Sequence, residues 1–106
     1  MDHIAVFAKL TANPGQREEL LRELQPFVEM VRDEEPGTIV YALHTTNEEE
    51  DSIWLYEVFD GQAGLDAHAA NEAARAEVGE RVGRLLARPV ELVWGSPLAE
   101  KGFAVG

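Results

Sequence analysis

The strongest constraint on this chain is the order in which its hydrophobic period changes. An alternating stretch gives way to a helical one, then to two more alternating stretches, a second helical region and a last short alternating stretch. That order reads β-α-β-β-α-β, which a short chain closes into a sheet with helices packed on it. Most of the alternating stretches are apolar on both sides. Two modest helical regions can cover only one face of such a sheet, so the other face needs a second cover.

Residues 3–11 are predicted as strand one, with Ile4, Val6, Ala8 and Leu10 on one face and His3, Ala5, Phe7 and Lys9 on the other. Asn13-Pro14-Gly15-Gln16 reads as a helix start, Asn13 capping and Pro14 at the first helical position. Leu20, Leu21, Leu24, Phe27, Val28 and Val31 then recur on one helical face. Pro26 inside that run predicts a kink or a split near Gln25, and Pro36-Gly37 ends it. In strand two, residues 38–46, Ile39, Tyr41, Leu43 and Thr45 share one face and Val40, Ala42 and His44 the other. Asn47-Glu48-Glu49-Glu50-Asp51 is a hairpin turn whose carboxylates need water, so an exposed, mobile tip is expected. Its spacing is not that of a calcium loop.

Strand three, residues 52–59, turns Trp54, Tyr56 and Val58 one way and Ile53, Leu55, Glu57 and Phe59 the other. Glu57 is a carboxyl group on an apolar face, which must find a partner or shift its pKa. Asp60 is expected to cap a short helix through Leu65 and His68. Asn71 is expected to cap a second one, with Ala74, Val78, Val82, Leu85 and Leu86 as its buried stripe. Pro89 stops that helix, and residues 90–94 form strand four, with Val90, Leu92 and Trp94 on one face. The tail retains Leu98, Phe103 and Val105, apolar enough to dock onto something. Alternation alone does not say which strand face meets the helices.

The 106 residues suit one domain over 1–106, with a core over about 3–95 and a tail over 96–106 that could contact a partner subunit. The 20 Asp and Glu residues outnumber 9 Lys and Arg, for a net charge of −11. This argues against nucleic acid or an anionic membrane as partner. There is no Cys, which rules out disulfides and thiolate metal sites, and the three His lack metal-ligand spacing, so no metal is expected. No run approaches the roughly 20 apolar residues of a membrane span. Met1-Asp2-His3-Ile4 lacks the pattern of a secretory signal, so the cytoplasm is the expected location. The expected fold class is α+β: a ferredoxin-like β-α-β-β-α-β sandwich with a four-stranded antiparallel sheet. Its uncovered face would meet that of a second copy, giving a homodimeric α+β barrel.

Several short runs carry a resemblance. They are residues 9–15 ending in Asn13-Pro14-Gly15, residues 24–32 with Pro26 inside, Glu35-Pro36-Gly37, Tyr41, Leu55-Tyr56-Glu57, and Gly64-Leu65-Asp66-Ala67-His68. In this order the chain resembles the antibiotic biosynthesis monooxygenase domain, a dimeric α+β barrel group that includes small quinol monooxygenases. The resemblance spans about residues 4 to 95. It implies a pocket between sheet and helices, and oxygenation of a small quinol or phenolic aromatic with no metal or flavin cofactor in the oxygenating step. Asn71-Glu72-Ala73-Ala74 stands where family members often carry a Ser-Pro-His-Phe-like stretch, so His68 is the one His of the helical region. The position of the haem-ligating His in haem-degrading relatives falls near Val78, which implies no haem.

Such chemistry needs a base and a dry pocket that holds an electron-rich anion. His68 is the candidate base, and its other reading is a partly exposed helix residue. Trp54, Tyr56, Trp94 and Phe7 are candidate walls for a flat ring, or else core or dimer packing. Tyr41 could donate to a substrate oxygen. Asn71 and Arg75 share a helix side, and Arg75 either stabilises a substrate anion or pairs with Glu72. His44 and Glu57 could pair across the dimer. The alternative to an enzyme is a non-catalytic aromatic-ligand or stress-response module, and a third reading is a dimerisation domain with a filled pocket.

Overall fold

A computed structural model describes residues 2–103 of the chain. Its strands are β1 (Ile4–Thr11), β2 (Thr38–Thr45), β3 (Ser52–Phe59) and β4 (Glu91–Gly95), and its helices are α1 (Arg17–Glu34), α2 (Gly61–Ala74) and α3 (Ala76–Leu85). The strands pair antiparallel in the order β2-β3-β1-β4. Residues opposite each other in a ladder share a face. Val6 pairs with Glu57 and Trp94, Ala8 with Leu55 and Leu92, and Tyr41 with Glu57. These residues face the helical layer. Phe7 opposite Tyr56, and Lys9 opposite Trp54, belong to the other face.

The core fills the space between that inner face and α1. Leu20 and Leu24 meet Ala8, Leu10, Ile53 and Leu55, all buried. Pro26 lies inside α1, which runs unbroken to Glu34. Proline costs the helix one backbone bond, but Leu20, Leu24 and Val31, buried on both sides of it, hold the two halves on the same sheet.

Asn13-Pro14-Gly15-Gln16 is a turn and not the first turn of α1. Gln16 N–H donates to the Asn13 carbonyl at 2.9 Å, and Gly15 at the third position has φ of 78°, the arrangement of a type II turn. Asn13 serves the end of α3 instead. Its side-chain amide donates to the Arg84 carbonyl and its N–H to that of Leu85.

The acidic turn is exposed yet tethered. Lys9 pairs with Glu49 at 3.0 Å, Arg17 reaches the carbonyls of Thr46 and Glu49, and Asp51 accepts from Gly15 N–H. The second helical region breaks at Arg75 and not at Asn71, which lies within α2. Helix α3 has no buried residue: Val78, Val82, Leu85 and Leu86 are half-buried and Ala74 is exposed. Val82, Leu85 and Leu86 pack against the edge of the core, while Val78, Gly79 and Val82 border a hollow, which leaves the stripe half-covered. Apolar side chains remain exposed around β4, among them Val93 at 61%, Trp94 at 55% and Leu98 at 91%, together with Phe7 at 43% on neighbouring β1. Val105 lies outside the described residues. Among those described, no helix is long and apolar enough to cross a membrane.

Candidate functional site

The hollow is a cavity of about 330 Å³ between the inner sheet face and all three helices. Val6, Ala8 and Leu55 form its floor, Leu24 and Phe27 of α1 one wall, Val78, Gly79 and Val82 of α3 another, and Leu92 and Trp94 the edge at β4. Its polar groups are few: Tyr41, Glu57, His68 and Glu72.

His68 is brought there by a backbone contact that glycine alone permits. The Pro36-Gly37 turn after α1 lies against the first turns of α2, and a Cβ on Gly64 would stand 2.5 Å from the Gly37 carbonyl oxygen. With both glycines bare, α2 settles on the turn and carries His68 to Glu35. The His68 Nδ1 lies 2.8 Å from Glu35 Oε1. Thr38 Oγ1 donates to the same oxygen at 2.8 Å, and Asn71 Nδ2 donates to Oε2 at 2.9 Å. Thr38 reaches inward because the β2–β3 register shifts between Thr38 and Val40, making Ile39 the extra residue of a bulge. Burial pushes the Glu35 carboxyl up, but the hydrogen bonds from Asn71, Thr38 and His68 outweigh it and leave it below the usual carboxylate range.

An ionised carboxylate only accepts, so the hydrogen between Glu35 and His68 belongs to Nδ1. Nε2 is then the nitrogen turned to the cavity. It lies 3.6 Å from Glu57 Oε1 and 3.7 Å from Glu72 Oε1. Phe59, Tyr41 and Phe27 surround the imidazole with ring centroids at 5.0, 5.2 and 5.8 Å. Among the described residues no hydrogen bond reaches the Glu57 carboxyl. Burial, and then the charges of Glu72 and Glu35, push it up to about 8, so at neutral pH it keeps its proton. Burial also pushes the Tyr41 phenol up, and Glu57, Glu72 and Glu35 add to the effect. In its neutral form the imidazole presents Nε2 to the cavity as an acceptor, beside the neutral O–H groups of Glu57 and Tyr41, a set that can take a proton from a hydroxyl and hold the resulting oxyanion.

Of the residues singled out in the sequence, His68, Tyr41 and Trp94 line this cavity, whereas Trp54, Tyr56 and Phe7 lie on the opposite face of the sheet. Phe7 and Tyr56 stack there at 5.1 Å, and Lys9 sits over the Trp54 ring. Asn71 holds Glu35, and Arg75 donates to the Asn71 carbonyl at 3.5 Å; neither side chain lines the cavity, and among the described residues Arg75 and Glu72 form no ion pair. Glu57 meets His68 and not His44, which pairs with Trp54 on the other face. The residue sequence reasoning overlooked is Glu35: it follows the last periodic position of α1, where a charge before Pro-Gly reads as a solvated helix end. Among the described residues, no group of three or more His, Asp or Glu is placed to hold a metal ion.

Residues 3–79 match the family described as antibiotic biosynthesis monooxygenase. An uncharacterized protein of Synechocystis sp. is 33% identical over 91 residues, 86% of this chain, and the chain spans 60% of that curated relative's length. Solved structures share the architecture. A Pseudomonas aeruginosa protein is 29% identical with a TM-score of 0.78, covering 93% of this chain and 97% of its own. A Mycobacterium tuberculosis protein is 27% identical with a TM-score of 0.78, covering 92% and 97%. One from Caulobacter crescentus, at 22% identity, reaches a TM-score of 0.84 over 92% of both chains. With nearly three quarters of its length, residues 3–79, matched by the family, the chain belongs to the antibiotic biosynthesis monooxygenase family.

Proposed function

We propose that the chain is a cofactor-independent monooxygenase of a small quinol or phenolic aromatic, working as a cytoplasmic homodimer. The observation that carries this is the buried His68, held by Glu35 at 2.8 Å and presenting Nε2 to an apolar cavity. His68 takes the ring hydroxyl's proton, and the imidazolium is balanced by Glu35. Neutral Glu57 and Tyr41 donate to the oxyanion. The electron-rich ring then reduces O2 itself: one oxygen atom enters the ring, the other leaves as water, and a quinol ends as a hydroxyquinone. The apolar walls keep water from quenching the anion.

Oxygen uptake with a panel of quinols tests the reading. Removing a positioned base costs about 10²–10⁴-fold, so His68→Ala should lose that much while the variant stays folded. No uptake by the wild-type chain across the panel would overturn it. A ligand-binding module without turnover is the second reading. It draws on Asn71-Glu72-Ala73-Ala74, which adds no second His or aromatic to the cavity, and it requires an aromatic ligand to bind without oxygen uptake.

A further inference from the structure

The polar side of the cavity carries charge of one sign. At neutral pH that charge is the Glu72 carboxylate, which lines the cavity beside His68 and the protonated Glu57, and among the described residues no Lys or Arg lines it. The Glu57 side chain is 10% exposed and aimed inward, while that of Glu72, one helical turn beyond His68 on α2, is 59% exposed and stands at the solvent side. Glu35 lies behind the imidazole, and the cation nearest in sequence, Arg75, turns to a backbone carbonyl. The net charge of −11 acts in the same sense at longer range. A ring bearing a carboxylate, sulfonate or phosphate would lose water against these carboxyl groups and gain no counter-charge. An uncharged ring hydroxyl faces no such penalty and finds its acceptor in His68 Nε2, deeper in the cavity than Glu72.

We propose that Glu72 is a specificity-determining residue that makes this cavity reject anionic rings and admit uncharged hydroxyaromatic ones. The inference rests on the reading that this cavity is the ligand site, and it needs no turnover. Calorimetric titration of the full chain with 2-naphthol, methyl 6-hydroxy-2-naphthoate and 6-hydroxy-2-naphthoate tests it, since the last two differ in charge and hardly in shape. The naphthol and the ester should bind, and the carboxylate should bind at least about tenfold more weakly near neutral pH. Glu72→Gln and Glu72→Ala change an exposed position, so both variants fold. Each should narrow the gap between ester and carboxylate by about threefold or more while leaving ester affinity within about twofold. Equal binding of ester and carboxylate, a gap untouched by both variants, or no binding of any of the three would overturn the proposal. Selective binding without oxygen uptake from any quinol would sink the oxygenase reading alone.

Discussion

Glu57 combines a carboxyl group with surroundings built for hydrocarbon. Val6 and Tyr41 flank it in the sheet, His68 faces it at 3.6 Å, and Glu72 and Glu35 add negative charge from α2 and the end of α1. Burial is the largest reason its carboxyl rises to about 8. The unfolded chain releases that proton near the ordinary glutamate value, about 4.3. Below that pH both states hold the proton and Glu57 costs nothing. Between there and about 8 only the folded state holds it, so its contribution to stability falls as pH rises; above about 8 both states are ionised and the loss is complete. Glu57→Gln keeps the shape and removes the titration. Denaturant melts of the two proteins should nearly coincide close to pH 4 and separate steadily above it. By the upper end of the window the glutamine variant should be more stable by on the order of 5 kcal/mol. A difference independent of pH would mean that Glu57 is ionised in the folded chain.

At the scale of elements, the site depends on how α2 meets the turn between α1 and β2. A Cβ on Gly64 would stand 2.5 Å from the Gly37 carbonyl oxygen and 3.4 Å from its Cα, backbone atoms that cannot swing away. Gly64→Ala should push α2 outward, cost about 1–3 kcal/mol by overpacking, and part His68 from Glu35. Thermal melting reads the first effect, and the His68 imidazole resonances across a pH titration read the second. A variant as stable as the parent, with unchanged resonances, would show that the contact yields. The elements themselves were legible in the sequence, because period two and period 3.6 separate cleanly and Pro36-Gly37 and Pro89 punctuate them. Less was legible in the site. Alternation grouped Trp54 with Tyr56 and Glu57 with Phe59 correctly, but which group meets helices is fixed by the crossover, and that put Trp54, Tyr56 and Phe7 behind the sheet. Asn71 has the chemistry of a helix cap, yet its amide is spent on Glu35 inside a continuous α2. The bulge at Ile39 leaves no mark in a run of β-formers, although it turns Thr38 toward Glu35. Glu35 acquires its meaning from residues 33 and 36 positions away.

The whole molecule leaves its apolar surface uncovered along one edge. Val93 at 61% exposure lies opposite Phe7 at 43% on the outer face, and Leu98 at 91% follows in the tail. A monomer in water has no reason to keep a strand exposed on both faces, whereas a second copy laid against the outer face would cover this edge together with the Phe7–Tyr56 stack. The chain should therefore sediment as a dimer at micromolar concentration. Phe7→Glu and Val93→Glu each set an unpaired charge in that contact, and each should weaken association by at least about tenfold. Because both side chains point away from the core, Val93 largely solvated and Phe7 partly so, the secondary structure of the separated variants should persist. Their outward direction makes a second readout informative, since the cavity, with Glu35 and His68, lies on the other side of the sheet. If one chain completes the cavity, 2-naphthol binds the monomeric variants as it binds the dimer. If binding falls with association, the wall at Leu92 and Trp94 of the edge strand and Val90 just before it, exposed in one chain, is closed by the partner. A wild-type chain that stays monomeric at micromolar concentration would instead require this edge to find a different protein.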